Sequence, residues 1–462
     1  MTRTRNNTLR LLTSLAIVML MSVSLILPAL ANPPWVTGTE DKPAPAAITK
    51  RFEMPIGTTT PNATFTFYFE KIGVDNKTDP DEHAAIIAAM PGLGDITIEF
   101  DGETASNPSD KLLVTINEAK GTKTVVRESK EFIQDNTNPP WPDVGVYKYY
   151  VKEVTTGVIN TPADAVNSGK SFSEAWYYLE IWVDRDGDTG PLYVKYVNAR
   201  TVENQHDEHY DGQVGGVKVD PTPGEDRTIK TYDHIDNFSG IVFTNKYWIS
   251  KGGGDEKEEE SALLVKKIVE GNHPDTEEAE KNNNEFTFNV KVTQPDVIPY
   301  DPTAIPPIPL QEYSVYILRA NGDIEGETKV TSGDTFEVKL KHDDQLMFTD
   351  LHVGAKVEVE EVVNDKYKPS YERTFATPMS LTGKATDAKW GFPRDVEPTD
   401  PGPHYLPEAA TNANQVIFTN TRTGATPTGV DVDDLPYLVM IGLALTGLTG
   451  FVLLKSRRRR GA

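Results

Sequence analysis

One series of sequence landmarks occurs twice in the same order, and it constrains the fold more than any other feature. Each copy has a lysine-bearing apolar run, a Phe-Thr-Phe, a glycine followed by an alternating run that ends in glutamate, and a closing Phe-Thr-Asn. The first copy uses Lys50, 65–67, Gly145, Glu153 and Asn245, and the second uses Lys267, 286–288, Gly354, Glu361 and Asn420. Repetition at this scale indicates two successive modules of one architecture.

The local pattern inside each copy is that of short β-strands. Residues 64–71 and 285–292 alternate apolar and polar side chains and are rich in β-branched and aromatic types, as half-buried strands are. Many such runs, separated by Gly, Asn, Asp and Pro, predict an all-β fold of two tandem Ig-like β-sandwich domains. One short helix is predicted at 81–90. Three stretches are predicted to be mostly loop: 200–232, 294–310 and 375–412.

Shifts in composition divide the chain into eight segments. The two repeats are separated by a Gly-rich and acidic stretch that is typical of a linker. The expected segments are a signal peptide (1–31), a Pro-rich disordered lead-in (32–46), the first β-sandwich (47–248), the linker (249–260), the second β-sandwich (261–421), a spacer (422–434), a transmembrane helix (435–454) and a basic tail (455–462).

Both ends of the chain carry the signatures of export and membrane retention. Three arginines precede an apolar run at 11–27, and Ala29-Leu30-Ala31 follows, which predicts a secretory signal cleaved between Ala31 and Asn32. An uncleaved anchor is the alternative. The 20 apolar residues 435–454 have the length of a membrane-spanning helix, and the basic tail after them is expected to stay cytoplasmic. The body is therefore predicted to be extracellular.

Charge and cysteine content narrow the classes of function. The chain has no cysteine, and between the two basic ends 38 basic residues face 69 acidic ones, a net charge of −31. Such a body is unsuited to nucleic acid, which needs a basic face. The acidic loop 184–190 departs from a calcium-binding loop because Thr189 stands where glycine is required. His206 and His209 lie in a polar stretch typical of a solvated loop, so no metal or other cofactor is predicted.

The C-terminal arrangement resembles the cell-wall sorting signals of Gram-positive bacteria. A Thr-Pro-Thr-Gly sequence at 426–429 precedes the apolar span and the basic tail. The resemblance implies that a sortase-like transpeptidase cleaves between Thr428 and Gly429 and passes the threonine carbonyl to an amine. The usual Leu-Pro-x-Thr-Gly is absent, so a plain membrane anchor remains the alternative.

The repeated landmarks resemble those of streptococcal-type pilins and surface adhesins built from isopeptide-linkage domains, related to collagen-adhesin B-type sandwiches. The resemblance covers about 47–248 and 261–421. It implies that a first-strand lysine is joined to a last-strand asparagine, with an acidic residue between them as catalyst. The implied sets are Lys50, Asn245 and Glu153, and Lys267, Asn420 and Glu361. In the second set Lys266 competes with Lys267. Lys267 is preferred because it shares a strand face with Val265, as Lys50 does with Ile48. Glu358 or Glu360 replaces Glu361 if the strand register slips.

Burial would give such a set its chemistry, because it disfavours the charged forms of both lysine and glutamate. A neutral amine could then attack the asparagine carbonyl while a protonated glutamate polarises it and relays protons. This reaction occurs once per molecule, so the chain is not expected to be an enzyme. A structural pilin or adhesin stalk is the favoured function, and the expected partners are other pilin subunits or peptidoglycan. Lys218 is a candidate for the lysine that links subunits, although the usual Tyr-Pro-Lys motif of pilins is absent. A receptor whose loops bind a host or glycan ligand is the alternative.

Overall fold

The computed structural model describes residues 36–75, 80–102, 112–117, 120–161, 168–202, 216–224, 237–250, 261–271, 283–375, 381–390 and 414–422, with positions 440, 443 and 446. The strands of these ranges form four sheets, two from the first repeat and two from the second. The prediction of an all-β fold of two sandwiches is confirmed. The predicted helix is also confirmed, as α1 (Pro80–Ala89).

The first module pairs a five-stranded sheet with a seven-stranded one. Its strands are β1 (Thr49–Pro55), β2 (Ala63–Val74), β3 (Ile96–Phe100), β4 (Leu112–Asn117), β5 (Thr122–Glu128), β6 (Gly145–Glu153), β7 (Val158–Ile159), β8 (Ser168–Ser171), β9 (Trp176–Arg185), β10 (Leu192–Thr201), β11 (Lys218–Val219) and β12 (Val242–Ile249). The smaller sheet has the order β4-β5-β1-β12-β8, and the larger has the order β11-β10-β9-β6-β2-β3, with β7 beside β2.

The second module has the same two-sheet plan. Its strands are β13 (Leu263–Glu270), β14 (Phe286–Thr293), β15 (Glu312–Leu318), β16 (Ile324–Thr331), β17 (Thr335–Leu340), β18 (Gln345–Phe348), β19 (Lys356–Glu361), β20 (Tyr367–Phe375), β21 (Leu381–Ala385), β22 (Lys389–Trp390) and β23 (Gln415–Arg422). The sheet orders are β16-β15-β18-β13-β23-β20-β21 and β17-β14-β19-β22.

Each core lies between its two sheets, because alternate residues of every central strand point inward. In the first module Phe52 from one sheet packs edge-on against Phe65 from the other, with ring centroids 5.3 Å apart. In the second module Phe288 and Phe418 meet in the same way at 5.4 Å. In the first module Phe67 also lies 4.8 Å from Phe243, so the Phe-Thr-Phe and Phe-Thr-Asn landmarks supply facing core residues in both modules.

The first and last strands of each module are parallel neighbours in identical register. On β1 and β12, Lys50 lies opposite Phe243, and on β13 and β23, Lys267 lies opposite Phe418. The asparagine of each Phe-Thr-Asn comes two residues later and shares the face of the lysine. This pairing brings together residues separated by most of a module's length.

The structure corrects the expected lead-in. Residues 32–46 are predicted to be disordered, but the described part, 36–46, is ordered and packed. The Ala44 N–H donates to the Val194 carbonyl at 2.8 Å, the Gly38 N–H donates to the Lys195 carbonyl at 3.0 Å, and Ala44 is buried. The first module therefore begins before residue 47. Small apolar residues between the prolines explain this packing, which the overall polarity of the segment conceals.

Several strands were missed because their sequences are polar or lie in presumed loops. The missed strands include β5, β16 and β20. The prediction that 375–412 is mostly loop is wrong for β21 and β22, and within 200–232 the short strand β11 adds to a sheet edge. These strands draw their stability from pairing with neighbours rather than from their own apolar pattern.

The two modules meet at a tight junction where β12 ends. The Val353 N–H donates to the Ile249 carbonyl at 2.9 Å, and Ser250 bridges to His352. Val353 is fully buried within the apolar core of the first module. Gly354 follows with φ +78°, and a Cβ there would stand 2.5 Å from the Pro55 Cβ, so only glycine fits this approach.

The predicted processing sites lie outside the described residues. These are Ala31 and Asn32 at the signal end, and Thr428 and Gly429 in the sorting motif. Most of the expected transmembrane segment, 435–454, is also outside them. In the part of the chain that the structure describes, no helix has the length and apolar character needed to cross a membrane.

Candidate covalent cross-linking sites

The first candidate site is a buried cluster of Lys50, Glu153 and Asn245. Lys50 and Asn245 come from the adjacent strands β1 and β12, and Glu153 ends β6 in the facing sheet. The Lys50 Nζ lies 2.7 Å from Glu153 Oε2, and Asn245 Nδ2 donates to Glu153 Oε1 at 2.6 Å. One carboxyl group thus contacts the amine through one oxygen and the amide through the other. All three side chains are buried in the core.

The second module contains the same arrangement. The Lys267 Nζ lies 2.8 Å from Glu361 Oε2, and Asn420 Nδ2 donates to Glu361 Oε1. These three residues are at most 2% exposed. The equivalent geometry follows from the equivalent register of the first and last strands.

The Phe-Thr-Phe landmark forms the apolar wall around each amine. Lys50 Nζ lies 4.5 Å from the ring centroid of Phe65 and 5.7 Å from that of Phe67. Lys267 Nζ lies 4.4 Å from Phe286 and 5.6 Å from Phe288. Aromatic faces attract a cation, but they provide no hydrogen-bond acceptor to replace water. The amines are therefore held where their charge is poorly solvated.

Burial shifts the ionisation of these groups towards their neutral forms. It lowers the pKa of Lys50 to about 7, although the adjacent Glu153 favours the charged amine. Burial likewise lowers the pKa of Lys267 to about 8, with Glu361 acting in the opposite direction. Burial also raises the pKa of Glu153, against the opposing effect of Lys50. In the first module a neutral amine beside a protonated carboxyl is thereby made accessible at ordinary pH.

The two clusters differ at the asparagine carbonyl. Asn245 Oδ1 accepts a hydrogen bond from the Ser173 backbone N–H at 2.7 Å, which polarises the carbonyl. Asn420 Oδ1 is buried with no hydrogen-bond partner among the described residues. Sequence reasoning missed Ser173, because it lies in the segment between β8 and β9 and contributes only its backbone. The first cluster is the better prepared for attack on its amide.

Comparisons with known proteins found one matching family model and several solved structures to which the chain is similar. Residues 261–389 match a family described as a domain of unknown function (DUF7601). No curated protein matches the chain. Among solved structures, the chain is similar to bacterial pilins and adhesins. A major pilin from Streptococcus pyogenes is 16% identical, with 83% of this chain and 99% of that one covered, at a TM-score of 0.29.

Two adhesin structures are also similar. One is a Mobiluncus mulieris adhesin containing intramolecular disulfide, isopeptide and ester bond cross-links, at 9% identity and a TM-score of 0.18, with 79% of this chain and 87% of that one covered. The other is a pilus-presented adhesin at 10% identity and a TM-score of 0.20, with coverage of 81% and 99%. Because these TM-scores are low, the functional argument depends on the two buried Lys–Glu–Asn clusters themselves.

The competing candidates of the second module point away from its core. Lys266 has a side chain that is 35% exposed and pairs with Asp343 at 3.2 Å. Glu358 and Glu360 lie on the outer face of β19, where both approach Lys389. The alternation of β19 leaves Glu361 on the inner face with the apolar residues of that strand.

Other residues singled out from the sequence contribute to no contact of either cluster in the part of the chain that the structure describes. Asp184, in the candidate calcium loop, pairs with Lys195 at 2.6 Å. No group of three or more metal-ligating side chains occurs within the described ranges. His206 and His209 fall outside those ranges. Lys218 lies on the edge strand β11, opposite Arg200.

Proposed function

We propose that the chain is a cell-surface structural protein, a pilin subunit or adhesin stalk, in which each module is closed by a Lys–Asn isopeptide bond. The observation that carries the proposal is the buried carboxyl group that contacts both a lysine amine and an asparagine amide. This arrangement occurs twice, in equivalent register. Neither cluster needs a cofactor for the proposed reaction.

The proposed reaction begins with transfer of a proton from the Lys50 amine to Glu153. The neutral Nζ attacks the Asn245 Cγ, so that the Nζ–Cγ bond forms and the Cγ–Nδ2 bond breaks. Glu153 returns its proton to the departing nitrogen, which also receives one proton from the attacking amine and leaves as an ammonium ion. The products are one amide and one ammonium ion, so the neutral mass of the chain falls by one ammonia, and the carboxylate takes part in proton transfer only. Lys267, Glu361 and Asn420 are assigned the same roles in the second module.

The fold supplies what the reaction needs beyond these groups. Adjacent parallel strands hold the amine and amide together, and well-positioned intramolecular groups reach effective molarities of about 10⁵ M or more. The N–H of Ser173 stabilises charge on the Asn245 carbonyl oxygen, as an oxyanion donor does. Each chain reacts once at each site, so this is self-modification without turnover.

The decisive experiment is the intact mass of a recombinant chain spanning residues 36–422. Two cross-links predict a mass lower than the calculated value by two ammonia molecules. Glu153→Ala and Glu361→Ala should each restore one ammonia, whereas Glu360→Ala, one residue from Glu361 and exposed, should restore none. The full calculated mass for the unmutated chain would contradict the proposal.

As part of the proposed surface role, a sortase-like transpeptidase cleaves the chain between Thr428 and Gly429. The acceptor amine would belong to peptidoglycan or to another pilin subunit. Fractionation of cells that express the natural chain tests this step. Thr428→Ala is expected to move the protein from the wall fraction to the membrane fraction. Membrane fractionation of the unmutated chain would favour a plain anchor instead.

A further inference from the structure

The two clusters differ in the hydrogen bonding of the amide oxygen that would carry charge during the reaction. In the first module Asn245 Oδ1 accepts a hydrogen bond of 2.7 Å from the backbone N–H of Ser173. In the second module Asn420 is 1% exposed, and its Oδ1 has no hydrogen-bond partner among the described residues. Because most buried polar groups are hydrogen-bonded, this difference at the reacting group needs a structural explanation.

In the first module the donor is available because the strand beside β12 is short. β8 pairs antiparallel with β12 and ends at Ser171, which lies opposite Lys246. The chain then leaves the sheet before it reaches β9. The N–H of Ser173 is therefore not used in strand pairing, and it donates to the side chain of Asn245 instead.

In the second module β20 takes the place of β8 beside the last strand, and it continues past the asparagine. Its pairing with β23 runs over 367–374, and Pro369 lies opposite Asn420. Proline has no N–H to donate. The next residue, Ser370, lies opposite Thr419, and its hydroxyl donates to the Thr419 carbonyl at 3.2 Å. The residues across the ladder therefore give Asn420 Oδ1 no hydrogen bond.

A donor to this oxygen affects the reaction rate, because negative charge develops on the oxygen when the amine attacks. Removing one such preorganised donor from an enzyme lowers the rate by about 10²–10³. The Ser173 N–H stabilises this charge on Asn245, whereas on Asn420 the charge would develop in a core without a donor. The amines differ in the same direction. Burial lowers the pKa of Lys50 to about 7 and that of Lys267 to about 8, so a smaller fraction of Lys267 is neutral near pH 7.

We propose that the two cross-links form in a fixed order, in which the first module closes soon after it folds and the second closes at least about tenfold more slowly. This inference rests on the proposed Lys–Asn reaction and adds its order in time. The continuation of β20 past Asn420 is the structural cause of the delay. Each chain therefore passes through an intermediate whose first module is covalently closed and whose second module is folded but open. During this period a pull on the chain can extend only the second module.

Pulse-chase synthesis of the full chain in a cell-free system tests this order. A short pulse of isotope-labelled amino acids is followed by samples that are denatured in acidic urea at increasing times. Peptide mapping by mass spectrometry then measures the linked fraction of each module, and limited proteolysis of parallel samples shows when each module has folded. We expect the Lys50–Asn245 peptide to appear first. The Lys267–Asn420 peptide should form with a half-time at least about ten times longer, after the second module has become resistant to protease.

Two substitutions at one position separate the N–H donor from the side chain that carries it. Ser173→Pro removes the N–H and should slow the first bond at least about tenfold, whereas Ser173→Ala keeps the N–H and should leave its rate unchanged. Equal rates in these two variants would overturn the assigned cause of the order.

The unmutated chain decides the order even if Ser173→Pro does not become resistant to protease. Equal half-times for the two bonds, or earlier closure of the second module, would overturn the proposed order while leaving the Lys–Asn reaction in place. Absence of both bonds at every time, with both modules folded, would instead contradict the reaction itself.

Discussion

Replacing Asn245 with alanine removes the acceptor of the first proposed cross-link and leaves Lys50 and Glu153 paired. The bond would close a loop of about 195 residues, which penalises the unfolded state by about 5 kcal/mol. The variant also loses the hydrogen bonds to Ser173 and Glu153, at a cost of about 1–3 kcal/mol. At about 2–4 °C per kcal/mol for a module of this size, the cross-link alone accounts for roughly 10–20 °C in Tm.

Differential scanning calorimetry of the 36–422 chain measures this loss. Asn136→Ala is the matched control in the same module, because Asn136 makes three hydrogen bonds to the lead-in and to Val194 and has no proposed covalent role. Intact mass must show that only Asn245→Ala regains an ammonia. If both variants lower Tm by the same amount while the unmutated chain is cross-linked, the stabilisation assigned to loop closure is wrong.

Three further predictions follow from the site and the junction. In the unlinked Asn245→Ala variant, the folded-state pKa of Lys50, about 7, is below its unfolded value of about 10.4. Between these two pKa values the unfolded state therefore binds more protons than the folded state. The free energy of unfolding should rise from pH 7.5 to 10 by at most about 1.4 kcal/mol per pH unit. Urea unfolding measures this rise, and in the linked chain Lys50 should contribute none of it. Ser173→Pro removes the N–H donated to Asn245 and should leave a measurable unlinked fraction in the first module, read by peptide mapping. Gly354→Val should loosen the junction and speed proteolysis between the modules, whereas Gly322→Val, with φ +89° but open space around its Cβ, should not; equal proteolysis would refute the steric argument.

The sequence was most informative where the same residues both pack in the core and form part of a proposed cross-linking site. Phe65 and Phe67 read as an alternating strand, and the structure places both rings around the Lys50 amine. The preference for Lys267 over Lys266 rested on side-chain alternation, and the structure buries Lys267 and leaves Lys266 partly exposed. Whether the bonds form remains a prediction.

Long-range backbone contacts could not be predicted from the pattern of side chains along the sequence. Ser173 contributes an N–H group that any residue except proline carries, so no side-chain pattern reveals it. β20 contains Pro369 and several charged residues, and it becomes a strand because β23 and β21 pair with it. Val353 reads as an ordinary core residue of its own module, yet it packs in the core of the other.

The parallel pairing of first and last strands has a mechanical consequence once the bonds are included. A pull on the two ends of the chain would pass from Lys50 directly to Asn245, and from Lys267 directly to Asn420. The 194 and 152 residues between these pairs would bear no tension. At about 3.4 Å per residue they represent roughly 660 Å and 520 Å of extensible length withheld from the pull. Only the short stretch between the clusters could lengthen, and in a single-molecule force experiment the chain would behave as an almost inextensible tether.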